Sequence, residues 1–120
     1  MPKRVVLVGH CNVDGPRLQQ AIKSASVDVI RVNDETDLES ACSGGADLLL
    51  VNREPVGFST DGVSIIADLH QRFPKQKMML VSDYPDAQDK AVESGALPGF
   101  GKADLGSRKL TDVVNAALAE

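Results

Sequence analysis

The chain has 120 residues and a formal net charge of −4, and hydrophobic residues make up 42% of it and aromatic residues 3%. This length predicts a single domain over residues 1–120, and the hydrophobic content is enough for one aliphatic core. The acidic balance and the scattered lysines and arginines argue against a nucleic-acid surface, and no apolar run approaches the roughly 20 residues that cross a bilayer.

The two cysteines give a prediction of the cellular compartment. Cys11 and Cys42 lie far apart and lack CxxC spacing, which favours reduced thiols over a disulfide. The apolar run Val5–Val8, which follows Lys3 and Arg4, is too short for the core of a signal peptide. We therefore expect a cytoplasmic protein with no membrane partner.

Apolar runs of strand length occur at five places along the chain. They are Val5–Val8, Val27–Val32, Leu48–Val51, Met78–Val81 and the weaker Leu97–Phe100. The first, third and fourth runs are continuous, which is typical of strands covered on both faces of a parallel sheet. The second run alternates more, so we expect it nearer an edge of the sheet.

Segments with a helical spacing of apolar residues separate these runs. The predicted helices are Pro16–Ala25, Thr36–Ser43, Gly62–Phe73, Pro85–Ser94 and Ser107–Ala119. Asp14, Asp83 and Ser107 are suited to cap the first, fourth and fifth of them. Strands that alternate with helices of this length predict right-handed crossovers and a parallel α/β sheet.

The carboxyl ends of the predicted strands carry the candidate functional residues, since ligands bind at that edge of an open α/β sheet. Asn52 follows the third run directly, Gly9 and His10 follow the first, and Ser82 follows the fourth. The longest irregular stretch, residues 53–61, comes directly after Asn52. It fits either a binding loop or a passive connector.

In their order and spacing, these segments resemble the receiver domain of two-component response regulators over essentially the whole chain. Residues 46–52 look like the strand that ends in the family's phosphoacceptor aspartate. The other matching positions are Pro55, Asp61 and Gly62 before the third helix, the hydroxyl position Ser82, the aromatic switch position Phe100 and the phosphate-pairing Lys102.

The resemblance implies a flavodoxin-like, doubly wound fold, (βα)5, with a five-stranded parallel sheet in the order 2-1-3-4-5. It also implies a role in two-component signal transduction or a phosphorelay, with a signalling protein as partner. In this family the fourth helix, fifth strand and fifth helix form a pairing face, so a homodimer is one expectation and an ordinary solvated surface is the other. The residues expected on that face are Lys90, Glu93, Ala96, Lys102, Arg108, Lys109 and Asp112.

The chain departs from the family's motif at the positions that carry its chemistry. Asn52 stands at the phosphoacceptor position, and the two adjacent acids fall at Gly9 and His10 or, with a shift of one residue, at His10 and Cys11. Ala103 replaces the proline that usually follows the lysine. An amide is not the nucleophile that attacks phosphorus, and a glycine and an imidazole cannot replace two carboxylates as ligands of Mg²⁺.

We therefore predict a degenerate receiver, or pseudo-receiver, that is not an enzyme and acts by phosphorylation-independent protein contacts. It is expected to have no metal and no cofactor. In this interpretation Ser82, Phe100 and Lys102 are retained positions with no phosphoryl group to sense. Phe100 is expected at the rim or half-buried, and His10 is expected to hydrogen-bond within the pocket.

Two alternative functions stay open. The emptied acidic pocket could serve a small-molecule or anion sensor, with Ser82 and Lys102 as binding groups. The chain could also be an atypical phosphoacceptor that uses a displaced acid, such as Glu54 or Asp83. Asp14, Glu54 and Asp83 are all expected on one rim, where they either converge on Lys102 as an ion-pair cluster or cap helices and face solvent.

Overall fold

The computed structural model describes residues 2–24 and 26–119, in which strands and helices alternate. The elements are β1 (Lys3–Val8), α1 (Asp14–Ile22), β2 (Val27–Val32), α2 (Glu35–Ser43), β3 (Leu48–Asn52), α3 (Gly62–Arg72), β4 (Met78–Val81), α4 (Pro85–Glu93), β5 (Leu97–Phe100), a 3-10 turn (Lys102–Asp104) and α5 (Arg108–Leu118). Within this part of the chain, five strands pair in parallel in the order β2-β1-β3-β4-β5. The predicted flavodoxin-like fold is confirmed.

The sheet separates two apolar layers because successive side chains of a strand point to opposite faces. In β1, Val5 and Leu7 enter one layer and Val6 and Val8 enter the other, and all four are fully buried. Helices α1 and α5 cover the first layer, and α2, α3 and α4 cover the second. Burial on both faces explains why the central strands are continuous apolar runs. Among the described residues, no helix is long and apolar enough to cross a membrane.

Strand β2 lies at one edge of the sheet, as its alternating sequence predicted. Val27, Val29 and Val32 are buried, whereas Asp28 and Ile30 are exposed. Within the described sheet this strand pairs with β1 alone. Part of it is therefore exposed to solvent, and its sequence can include polar residues. Strand β5 forms the opposite edge.

Helix α1 begins earlier and ends earlier than predicted. It spans Asp14 to Ile22, and Ala25, which the prediction included, lies outside the described residues. Asp14 is the first helical residue rather than the cap, and its carboxylate forms an ion pair with Lys102. The predicted Asp14 cap was wrong because Val13 occupies the N-cap position and the carboxylate of Asp14 is paired with Lys102.

The cap predicted for α4 differs, whereas Ser107 does occupy the predicted N-cap position of α5. Helix α4 begins after Tyr84, and the carboxylate of Asp83 accepts a hydrogen bond from the backbone N–H of Ala103. Ser107 precedes α5, but within the described contacts its hydroxyl donates to the carbonyl of Asp104 and caps no helical N–H. Both side chains therefore hold the 3-10 turn that follows β5.

Candidate functional site

The carboxyl ends of β3 and β4 and the loops beside them enclose a cleft of about 430 Å³. Its lining residues are Cys11, Asn52, Arg53, Glu54, Val56, Val81, Ser82, Asp83, Tyr84 and Lys102. The structure thus brings together Asn52, Ser82 and Lys102, which come from the ends of three different strands. Within the described lining, Gly9, His10 and Phe100 take no part.

Asn52 ends β3 as a hydrogen-bond donor to the backbone. The residue is 6% exposed, and its side-chain Nδ2 donates to the carbonyl of Gly9 at 3.0 Å and to the carbonyl of Glu54 at 3.1 Å. An ionised aspartate accepts hydrogen bonds and has no hydrogen to donate. The amide therefore ties β1 to the loop after β3 in a way that a carboxylate at this position could not.

The loop after β3 fills the space beside the end of β1. Gly9 has a φ of +71°, which favours glycine, and its carbonyl accepts a hydrogen bond from the N–H of Val56 at 2.8 Å. A Cβ atom on Gly9 would overlap the Cβ of Pro55 and would lie 2.6 Å from its Cα. An acidic side chain at Gly9 would therefore displace Pro55. Residues 53–61 were expected to be either a binding loop or a passive connector. The start of this loop packs against the end of β1 and closes the space there.

His10 lies below the cleft and is 1% exposed. Its Nε2 is 2.9 Å from the carbonyl oxygen of Leu50, and because a carbonyl only accepts, Nε2 carries the hydrogen. The pKa of His10 is lowered from 6.5 to about 4, chiefly by burial; the Leu50 bond opposes this shift and the positive charge of Lys102 adds to it. His10 is therefore neutral at pH 7. The prediction that His10 forms a hydrogen bond is confirmed, but its location is different. The bond is made to Leu50 of β3, and His10 does not line the cleft.

The charged end of Lys102 is neutralised by one carboxylate. Its Nζ lies 2.9 Å from Oδ2 of Asp14, and the hydrogen bond from Lys102 lowers the pKa of Asp14 below its ordinary value. Glu54 pairs with Arg53 at 3.2 Å, and Asp83 binds the backbone. Among the described contacts, the three carboxylates expected on this rim therefore have three different partners, and no ion-pair cluster forms.

Ser82 and Phe100 connect β4 to β5 at the same edge. The hydroxyl oxygen of Ser82 accepts a hydrogen bond from the N–H of Tyr84 at 3.1 Å, and its own N–H donates to the carbonyl of Phe100 at 2.9 Å. Phe100 is 1% exposed and packs in the apolar layer under α5, beside Leu110 and Val114. The prediction of a rim or half-buried Phe100 was wrong, because β5 turns this side chain into the core.

Three contributors to the site were missed from the sequence. The Nη2 of Arg31, in β2, donates to the carbonyls of His10 and Cys11 at 3.3 Å and thereby holds the loop after β1. The guanidinium of Arg53 lies 4.6 Å from the centre of the Tyr84 ring. The third is Gln88. Arg31 could have been found from the sequence, because it is a cation near the carboxyl end of a strand predicted at the edge of the sheet.

The cleft has few of the groups that metal or acyl chemistry needs. Among residues 2–24 and 26–119, no three His, Cys, Asp or Glu side chains lie close enough to hold a metal ion. The end of β3 offers an amide that is engaged with the backbone, and Cys11, a free cysteine, also lines the cleft. The arrangement is suited to hydrogen bonding and to contact with a charged partner.

No protein-family model and no curated protein matches the sequence. Solved structures do match. A response regulator from Thermotoga maritima superposes with a TM-score of 0.82 at 18% identity over 100% of both chains. The signal receiver domain of an HD domain-containing protein from Pseudomonas fluorescens Pf-5 gives 0.80 at 21% identity, with 99% of this chain and 96% of that chain covered.

A response regulator receiver domain protein from Methanospirillum hungatei JF-1 also gives a TM-score of 0.80, at 16% identity, with 99% of this chain and 95% of that chain covered. The chain has the fold of a response regulator receiver domain. At these identities the likeness is one of fold, and it confirms the resemblance at that level. In this receiver fold, the cleft at the ends of β3 and β4 is the candidate site.

Proposed function

We propose that this chain is a single receiver-like domain over residues 1–120 that signals by contact with a protein partner and accepts no phosphoryl group. It is a pseudo-receiver and not an enzyme. One observation carries the proposal: Asn52 stands where the resemblance puts the reactive carboxylate, and its amide is a buried donor to two backbone carbonyls. A side chain in this role is neither a nucleophile nor free to become one.

The end of β1 supports the same proposal. Mg²⁺ is held through oxygen ligands in near-octahedral geometry, usually with one or two carboxylates. Gly9 has Pro55 against it, and His10 is neutral and bonded to Leu50. The carboxylate nearest to Lys102 is Asp14, which neutralises that lysine directly. Among the described contacts, the two cations that line the cleft, Lys102 and Arg53, each have a carboxylate partner.

A groove of about 800 Å³ between α4 and β5 is the surface that we assign to the partner. Exposed apolar surface on it includes Val92, which is 43% exposed. Among the described residues that line this groove, the charged ones are Asp83, Asp89, Glu93, Asp104 and Lys109. With four carboxylates against one ammonium, the groove is suited to a basic segment that also carries apolar residues.

The same charges argue against pairing of two copies through the groove. A symmetric dimer brings the same patch of both copies together, so two acidic grooves would repel. Two residues of the predicted pairing face are also less available for contact, since Ala96 is buried and the ammonium of Lys102 is paired with Asp14. We therefore propose a different, basic protein as the partner in preference to a homodimer.

Exposure to acetyl phosphate and Mg²⁺, followed by intact-mass measurement, tests the central step. We expect no phosphoryl adduct on the wild-type chain. We expect none on Asn52→Asp either, because β1 supplies no carboxylate pair for the metal. A stoichiometric wild-type adduct would contradict the proposal, and its mapping to Glu54 or Asp83 would establish the displaced-acid alternative.

A second candidate is an anion sensor. Arg53 and Lys102 both line the cleft, and its volume of about 430 Å³ lies within the usual range for small-molecule sites. A thermal-shift screen with phosphate, sulfate and small carboxylates tests this function. A rise in Tm that Lys102→Met abolishes would favour it, and a flat screen would exclude these anions as ligands.

A further inference from the structure

The pairing of β4 with β5 contains an irregularity that leaves backbone groups without ladder partners. Met79 pairs with Leu97 and Val81 pairs with Phe100, so one residue of β4 faces two residues of β5. This is a β-bulge. The bulged residues are Pro98 and Gly99, and a proline has no N–H to donate to the ladder.

The side chain of Gln88, on α4, occupies this gap. Its Nε2 lies 2.8 Å from the carbonyl oxygen of Leu80, 3.1 Å from that of Ser82 and 3.2 Å from that of Phe100. Its Oε1 accepts a hydrogen bond from the N–H of Gly99 at 3.3 Å. A primary amide has both a donor and an acceptor, so it can replace a missing ladder bond on both strands.

The contacts of Gln88 connect the groove and the cleft. Gln88 lines the groove between α4 and β5, together with Ser82 and Phe100. Ser82 also lines the cleft, and Phe100 is followed closely by Lys102, which lines the cleft and binds Asp14. A displacement of α4 must therefore break bonds to the segments that carry Ser82 and Lys102.

We propose that Gln88 is a positioning residue that couples the groove to the cleft. A partner that moves α4 releases the Gln88 amide from β4 and β5 and so loosens Lys102 from Asp14. A partner that leaves α4 in place keeps the ion pair between Lys102 and Asp14 intact. The inference rests on the proposed function only in treating the groove as the docking surface.

The first test uses the whole chain with Gln88→Met, which keeps the length of the side chain and removes its hydrogen bonds. We expect amide exchange at Gly99 to rise about fivefold to thirtyfold, as for the loss of one or two kcal/mol of local stability. We also expect the pKa of Asp14, followed by NMR, to move up toward its ordinary value. The matched change Gln71→Met, at an exposed position of α3, should alter neither quantity.

The second test needs no variant and covers the case in which Gln88→Met does not fold. In the wild-type chain, the amide protons of Gly99 and of Ala103, which binds Asp83 at the cleft, should exchange through one shared opening below global unfolding. Independent openings would overturn the coupling. So would a Gln88→Met chain in which Gly99 exchanges faster while the pKa of Asp14 stays unchanged.

Neither test involves a phosphodonor or a partner. A chain that accepts a phosphoryl group but shows the coupled opening would refute the proposed function and leave the role of Gln88 standing. The converse result would refute the coupling alone.

Discussion

The two sides of the cleft differ in what occupies the ends of their strands. On the β1–β3 side, Asn52 binds backbone carbonyls and Pro55 packs against Gly9, so the space is closed by hydrogen bonds and by contact. On the β4–β5 side, Ser82 and Lys102 line the cleft, which Asn52 and Val56 line from the β1–β3 side. The difference teaches that backbone hydrogen bonds and close packing hold the strand ends on one side of this edge, whereas polar side chains on the other side are accessible from the cleft.

The largest expected effect comes from Gly9→Ala. The new Cβ would overlap Pro55, and the backbone would have to hold a φ of +71° with a side chain present. We expect a loss of roughly 4 kcal/mol of unfolding free energy, from overpacking and left-handed strain together. Chemical denaturation measures it.

Gly106→Ala separates the two causes. Gly106 has a φ of +83°, and among the described residues a Cβ there meets no atom within 4 Å. Strain alone should cost about 1 kcal/mol at this position. Equal losses for the two variants would show that Pro55 does not close the β1 side.

The next effect concerns the buried His10. Its pKa is lowered from 6.5 to about 4 in the folded chain, so the unfolded chain binds the proton more readily. The stabilising contribution is complete above pH 6.5 and is lost as the pH falls toward 4, by on the order of 3 kcal/mol. Asp14 acts at lower pH, because its contribution is lost only below its ordinary pKa of 3.8.

His10→Gln should remove the stability change between pH 6.5 and pH 4, because an amide donor remains and the titration is gone. A wild-type slope that survives His10→Gln would place the titrating group elsewhere.

Asn52→Asp should lower the unfolding free energy by about 2 kcal/mol at pH 7, because a carboxylate would face two carbonyl oxygens. The introduced carboxyl would have a raised pKa in the folded chain, so stability should recover as the pH falls and the protonated group donates again. Asn115→Asp, on the exposed face of α5, is the control. A neutral result at pH 7 would mean that the amide does not hold the β1–β3 side together.

The smallest effect is expected for the ion pair on the β4–β5 side. Lys102 and Asp14 are 2.9 Å apart but partly exposed to solvent. A double-mutant cycle with Lys102→Met and Asp14→Asn should give a coupling of about 0.5 kcal/mol that decreases with salt. A coupling energy as large as the loss expected for Asn52→Asp would show that the ion pair on the β4–β5 side stabilises the fold as much as the Asn52 amide on the β1–β3 side.

The strands could be predicted from the sequence because burial on both faces leaves continuous apolar runs such as Leu48–Val51. Phe100 was misplaced because the short run that contains Pro98 and Gly99 has no alternation, and the bulge decides which face each side chain meets. The Asp14 cap failed for another reason. Its carboxylate prefers Lys102, a partner that only the tertiary structure brings near.

The site was predictable to the same extent. Asn52, Ser82 and Lys102 could be placed together because the ends of parallel strands meet at one edge. The contact of Pro55 with Gly9 and the bonds of Gln88 have no local signal, since they depend on how a loop and a helix pack against the finished sheet. The residues at the edge of the sheet could therefore be predicted from the sequence, whereas the packing that closes the β1–β3 side could not.

Titration with Mg²⁺ and beryllofluoride, a mimic of the phosphoryl group, tests most directly whether the β1–β3 side has lost phosphoryl chemistry. In a ¹⁵N-correlation NMR spectrum, the signals of Asn52, Ser82 and Lys102 should stay in place throughout the titration. Saturable shifts centred on these three residues would contradict the claim that this edge binds neither the metal nor the phosphoryl group.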